Sequence, residues 1–146
     1  MKKYYQLALF ILFGMYSNAQ APTLDWAGQI GIDPYGYSEA ITTDANGNVY
    51  TVGYFEGTAD FDPGTGTLNY TASGETTFIQ KLDAAGNLVW TKFISGTSDV
   101  RAEDMVLDTN ANIYITGSFQ GTADFDPGAG TANLWATGSG RAVFVL

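Results

Sequence analysis

The chain has 146 residues with neither cysteine nor histidine, which excludes disulfides, removes the sulfur and imidazole ligands of zinc sites, and rules out Ser-His-Asp or Cys-His catalysis within it. Fifteen acidic residues against six basic ones give a net charge of −9, a balance that repels phosphate backbones and argues against nucleic acid as a partner. Any metal would have to be held by oxygen, which points to calcium or magnesium.

In chain order, residues 1–19 read as a secretory signal. Lys2 and Lys3 form the basic start, Leu7 to Met15 is an apolar run too short to span a bilayer, and Ser17-Asn18-Ala19 is a small-residue cleavage pattern. The expected cut lies between Ala19 and Gln20. It removes two lysines and no acid, taking the charge from −9 to −11, and leaves no membrane insertion. The chain is therefore expected outside the cell or at its surface.

Residues 20–146 read as strands throughout. Leu24–Ile30 is expected to be a closing strand. Ser38–Thr43, Asn48–Phe55, Thr77–Leu82 and Leu88–Ser95 follow, on their β-branched and aromatic content. Asn48–Phe55 is apolar on both faces, with Val49, Thr51 and Phe55 on one and Tyr50, Val52 and Tyr54 on the other, so both faces should be covered. Asp44-Ala-Asn-Gly-Asn48, Asp83-Ala-Ala-Gly-Asn87 and Asp108-Thr-Asn-Ala-Asn112 read as turns. In each, Asp caps nearby N–H groups, and the fourth position takes positive φ. Pro63-Gly64 fits the centre of a type II turn.

The pattern then repeats. Gly57-Thr-Ala-Asp-Phe-Asp-Pro-Gly64 recurs as Gly121-Thr-Ala-Asp-Phe-Asp-Pro-Gly128, an offset of 64 that also aligns Trp26 with Trp90, Tyr50 with Tyr114 and Phe55 with Phe119. Val143–Leu146 aligns with Thr77–Gln80 at an offset of 66. Four short strands per repeat predict an all-β fold, a partial β-propeller of about two four-stranded blades. One repeat covers 24–87, and a second, incomplete one covers 88–146. Closed propellers have about four to eight blades, so the segment reads as part of a longer protein. Open blade edges are expected to self-associate.

Asp44 to Gly53, Asp-x-x-Gly-Asn-Val-Tyr-x-x-Gly, resembles the core of the bacterial SBBP-type β-propeller repeats. Phe78 to Trp90, Phe-Ile-x-Lys-Leu-Asp-x-x-Gly-Asn-x-x-Trp, is similar to the second half of that repeat. The resemblance covers residues 24–146 and implies a secreted or surface protein of Bacteroidetes-type bacteria with no defined enzymatic activity. Ala111 departs from the pattern by standing where Gly47 stands in the first copy.

Asp60 and Asp62, and their copies Asp124 and Asp126, put two carboxylates on one side of an extended segment. They are the calcium candidates, although a structural role in the loop weighs more. Glu56 and Glu75 align with Gln120 and Ser139. They are the acids here that break the repeat, and as lone glutamates they read as solvated surface rather than as a glycosidase pair. The repeated aromatics read as core. Trp135, which replaces Thr71, is the candidate for an exposed ligand-binding aromatic. The resulting expectation is a non-enzymatic scaffold for a protein or glycan ligand, with no cofactor unless calcium. The alternatives are a piece of a polysaccharide-active propeller whose catalytic loops lie elsewhere, and a structural array without a ligand.

Overall fold

A computed structural model describes residue 21, residues 23–138 and residues 140–146. The secretory reading of residues 1–19 lies outside these. Every regular element among the described residues is a strand. β1 (Gly31–Thr43), β2 (Val49–Asp60), β3 (Asn69–Leu82) and β4 (Leu88–Gly96) form an antiparallel meander. β5 (Val100–Leu107), β6 (Ile113–Phe119) and β9 (Ala142–Val145) form a second antiparallel sheet. Between β6 and β9, β7 (Thr122–Asp124) and β8 (Asn133–Trp135) make a small hairpin attached to the end of β4.

The sequence repeat is also a repeat of register. Ser38 opposes Gly53 as Ala102 opposes Gly117, Thr43 opposes Val49 as Leu107 opposes Ile113, and both pairings carry a bulge at the matching place. Gly31 and Ile32 oppose Asp60 and Ala59, as Ser95 and Gly96 oppose Asp124 and Ala123. β4 thus finishes the first sheet and then pairs with the second repeat's hairpin.

The turns form because Asp, Asn and a left-handed residue recur at fixed spacing. Asp44 Oδ1 accepts the N–H groups of Asn46 and Asn48 at 2.9 and 3.1 Å. Asp83 and Asp108 do the same at 2.8–2.9 Å. The fourth residue of each turn has positive φ, 78° at Gly47, 83° at Gly86 and 60° at Ala111, as the spacing predicts. This is a type I turn closed by a left-handed residue, the common three-residue hairpin connection.

The core has two parts. Tyr50, Val52 and Ile79 of the first sheet meet Val100, Ala102, Met105 and Ile115 of the second. Thr77 reinforces this seam, its hydroxyl donating to Val100 O and accepting from Ala102 N, both at 2.9 Å. Phe55, Phe61 and Phe78 fill the hairpin end of the first sheet. Phe119, Phe125 and Phe144 repeat that aromatic triad, with ring separations of 5.1, 4.8 and 6.5 Å against 5.0, 5.2 and 6.4 Å. Truncating one such Phe to Ala costs about 3–5 kcal/mol.

Three expectations need correction. Leu24–Ile30 is not a strand: no neighbouring strand offers it a ladder among the described residues, and Trp26 instead donates its indole N–H to Ala84 O at 3.2 Å. Gly64 and Gly128 do not take positive φ, so Pro63-Gly64 is not a type II turn. Aspartate hydrogen bonds shape that loop. The Val49/Thr51 face of the first sheet is also only partly covered. Residues 26–30 lie across it and leave a cavity of about 390 Å³ lined in part by Ile41, Phe78 and Leu82.

Candidate functional site

The paired aspartates sit where β2 gives way to the loop. Asp60 Oδ1 accepts from Asp62 N and Leu68 N at 3.1 and 2.8 Å, and Asp62 Oδ1 accepts from Gly64 N at 2.8 Å. Asp124 and Asp126 reproduce this at 3.1, 2.8 and 2.7 Å. The second oxygen of Asp62 lies where a Cβ on Gly66 would fall, and Asp126 holds the same relation to Gly130. The carboxylates therefore replace backbone acceptors across the loop, and each leaves room only for a glycine four residues on, Gly66 and Gly130. Backbone N–H donors hold Asp124 below the usual carboxylate range. Among the described residues no three or more acidic side chains are grouped to hold a metal.

The repeated aromatics divide. Phe55, Phe119 and Tyr50 are buried, Trp90 packs edge-on against Tyr50, and Tyr114 is exposed. Trp135 is 69 % exposed and stands on β8 opposite Thr122. In the first repeat the equivalent pair is Thr58 and Thr71, whose hydroxyls bond to each other at 2.9 Å. The hairpin carrying Trp135 is fixed by bonds from Thr97 N to Thr122 O and from Ala136 N to Gly121 O.

One cluster escaped the sequence reading. Glu75 is buried, not solvated. It receives two N–H groups of Arg101 and the hydroxyl of Tyr35, the latter at 2.9 Å, and Arg141 lies 3.8 Å away. Burial pushes its carboxyl up, but the donors and charges of Arg101, Tyr35 and Arg141 outweigh that and hold it below the usual range. Glu56 and Glu75 beside the Tyr35 hydroxyl push that phenol up. Arg101 also lies over the Tyr54 ring at 5.0 Å, and Arg141 bonds Asp99 at 3.0 Å. Tyr35, Tyr37 and Tyr54 form a ladder with centroids 5.9 and 5.4 Å apart, and Tyr37 is exposed.

These are among the positions where the two repeats disagree. At the 64-residue offset Tyr35 becomes Asp99, Tyr37 becomes Arg101, Tyr54 becomes Ser118 and Glu56 becomes Gln120. The available signal was Glu75 standing off the pattern. Its burial depends on approach across the sheet seam, which spacing cannot show.

No family model matches the chain, and no solved structure matches it. Among curated proteins it is similar to an uncharacterized WD repeat-containing protein of Acanthamoeba polyphaga mimivirus, 32 % identical over 113 residues. The match covers 67 % of this chain, which spans only 8 % of that relative. With two antiparallel sheets that repeat one register, this marks the chain as an all-β repeat scaffold.

Proposed function

We propose that the chain is part of a secreted or cell-surface β-propeller of the SBBP-like kind, binding a protein or glycan and catalysing nothing itself. One observation carries this reading. The turn aspartates, the Gly57–Gly64 segment and the aromatic triad recur between repeats, whereas Tyr35, Tyr37, Tyr54 and Glu56 are replaced by Asp99, Arg101, Ser118 and Gln120, and these side chains gather around the Glu75–Arg101 pair. A scaffold that keeps its turn aspartates and aromatic triad while replacing such a cluster of polar and aromatic side chains is equipped for recognition. Exposed Tyr37, one ring away from the Tyr54 that Arg101 covers, and exposed Trp135 offer flat aromatic faces, the equipment for stacking a sugar or seating a peptide side chain.

The test is binding of the purified chain to a glycan array and to extracellular proteins of its source. A ligand should be retained, and either Tyr37→Ala or Trp135→Ala should weaken it at least tenfold. Binding indifferent to both changes would sink the assignment, as would hydrolysis of an arrayed glycan.

A further inference from the structure

The turns opened by Asp44, Asp83 and Asp108 share one frame. In each, the N–H of the fourth residue donates to the carbonyl of the opening aspartate at 3.0 Å, and that fourth residue has positive φ. At the fifth position the side-chain amides of Asn48, Asn87 and Asn112 donate to the aspartates and are held. The third position is Asn46, Ala85 or Asn110. Among the described residues Asn46 and Asn110 donate through their backbone N–H alone, to Asp44 and Asp108, and both are exposed. Their side-chain amides are left to solvent.

What differs is the pair at the third and fourth positions: Asn46-Gly47, Ala85-Gly86 and Asn110-Ala111. Every asparagine of the chain other than Asn46 precedes a residue with a Cβ. That difference is chemical. The nitrogen of the residue after an asparagine can attack its side-chain carbonyl carbon and close a cyclic imide. A Cβ on the attacking residue crowds that ring, and glycine has none. A Cβ on Gly47 would meet Ala84 at an ordinary 3.4 Å, so it is the φ of 78° and not want of space that favours glycine there. Ala111 accepts the same left-handed backbone with a Cβ in place, at a φ of 60°.

We propose that Asn46 is a site of spontaneous modification in the folded protein, converting to aspartate and isoaspartate, and that Ala111 spares Asn110 the same change. Hydroxide takes the proton of the Gly47 N–H, and the nitrogen attacks Cγ of Asn46. The bond from Cγ to the side-chain nitrogen breaks, and that nitrogen leaves as ammonia with a proton from water. Water then opens the cyclic imide. Breaking the bond from Gly47 N to Cγ gives aspartate. Breaking the bond from Gly47 N to the main-chain carbonyl carbon leaves Gly47 joined through Cγ, which is isoaspartate. Water and hydroxide are the co-reactants, and nothing is oxidised or reduced. The bond from Gly47 N to Asp44 O opens first, and it lies in an exposed turn where local opening costs little. Either product adds a carboxylate next to the Asp44 cap, and isoaspartate adds an atom to the main chain of the turn. Asn46 and Asn110 border one cavity of about 370 Å³ between the two turns, so the new charge enters a surface that both repeats share. The exchange of glycine for Ala111, which the backbone disfavours, keeps the second turn chemically durable.

The purified 146-residue chain is held in warm, mildly alkaline buffer and digested at intervals. Mass spectrometry assigns amide loss to each asparagine, and labelling by a protein isoaspartyl methyltransferase reports isoaspartate. Asn46 should convert at least tenfold faster than Asn110, at a rate that rises with pH. Gly47→Ala should bring Asn46 down to the rate of Asn110. Ala111→Gly should raise the rate at Asn110 at least tenfold while making the fold more stable, a pairing that separates chemistry at the turn from unfolding. Equal rates at Asn46 and Asn110 in the folded chain overturn the proposal. So does an Asn46 that converts only once urea has unfolded the chain, or an Ala111→Gly chain whose Asn110 stays intact.

Discussion

Ala111 has φ of 60°, the left-handed region where a Cβ costs about 1 kcal/mol, while Gly47 and Gly86 fill the same place in the other two turns. Ala111→Gly should therefore raise stability by about 1 kcal/mol in urea denaturation, and Gly47→Ala should lower it by a similar amount. Asp44 carries the strongest cap. Hydrogen bonds from the Asn48 side chain, from the Asn46 and Asn48 N–H groups and from the Tyr50 hydroxyl hold its carboxyl at about 2, against an ordinary 3.8. A depressed carboxyl stabilises the fold above its ordinary value and loses that contribution as pH falls. Urea midpoints should consequently drop between about pH 4 and pH 2, and Asp44→Asn should flatten that segment. Asp62 and Asp126 are spent on their own loops. Millimolar calcium should leave the melting temperature unchanged, whereas Asp62→Asn with Asp126→Asn should lower it without metal. A calcium-dependent rise lost in that double variant would reverse this assignment. Sequence displayed all of these residues because their partners lie within eight positions. It misjudged Glu75, whose partners Tyr35 and Arg101 arrive from 40 and 26 residues away.

At the level of strands, β-branched and aromatic content located Ser38–Thr43, Asn48–Phe55, Thr77–Leu82 and Leu88–Ser95, which, Asn48 apart, fall in β1 to β4 but leave out the first residues of β1. It missed the extension of β2 to Asp60 and the start of β3 at Asn69, because Gly57-Thr-Ala and Tyr-Thr-Ala lack bulky alternation. It also assigned a strand to Leu24–Ile30, whose composition suits one but which finds no ladder in the described fold. Propensity proposes an extended segment, and a partner edge decides whether it becomes a strand. The seam between the sheets rests on Thr77, whose hydroxyl serves one buried carbonyl and one buried N–H at 2.9 Å. Thr77→Val keeps the shape and strands both groups, so it should cost about 1–3 kcal/mol. Urea unfolding monitored by fluorescence measures this. A neutral outcome would mean that the seam admits water.

For the whole molecule, the internal repeat was legible at once, and the structure gives it physical form as one register used twice. Export is the matching prediction at this scale. Material secreted by an expressing bacterium should begin at Gln20 on N-terminal sequencing, and intact Met1 on cytoplasmic protein would contradict it. The path of β4 has a consequence for how such genes change. Its first residues complete one sheet, and its last two hold the hairpin of the following repeat. The unit copied in the gene, 64 residues, is thus out of phase with the unit that folds. A block inserted or deleted by recombination regenerates the same staple wherever the crossover falls, because each end supplies the half that the other lacks. Copy number can drift without any joint being redesigned, and selection is left free to act on the side chains that differ from block to block.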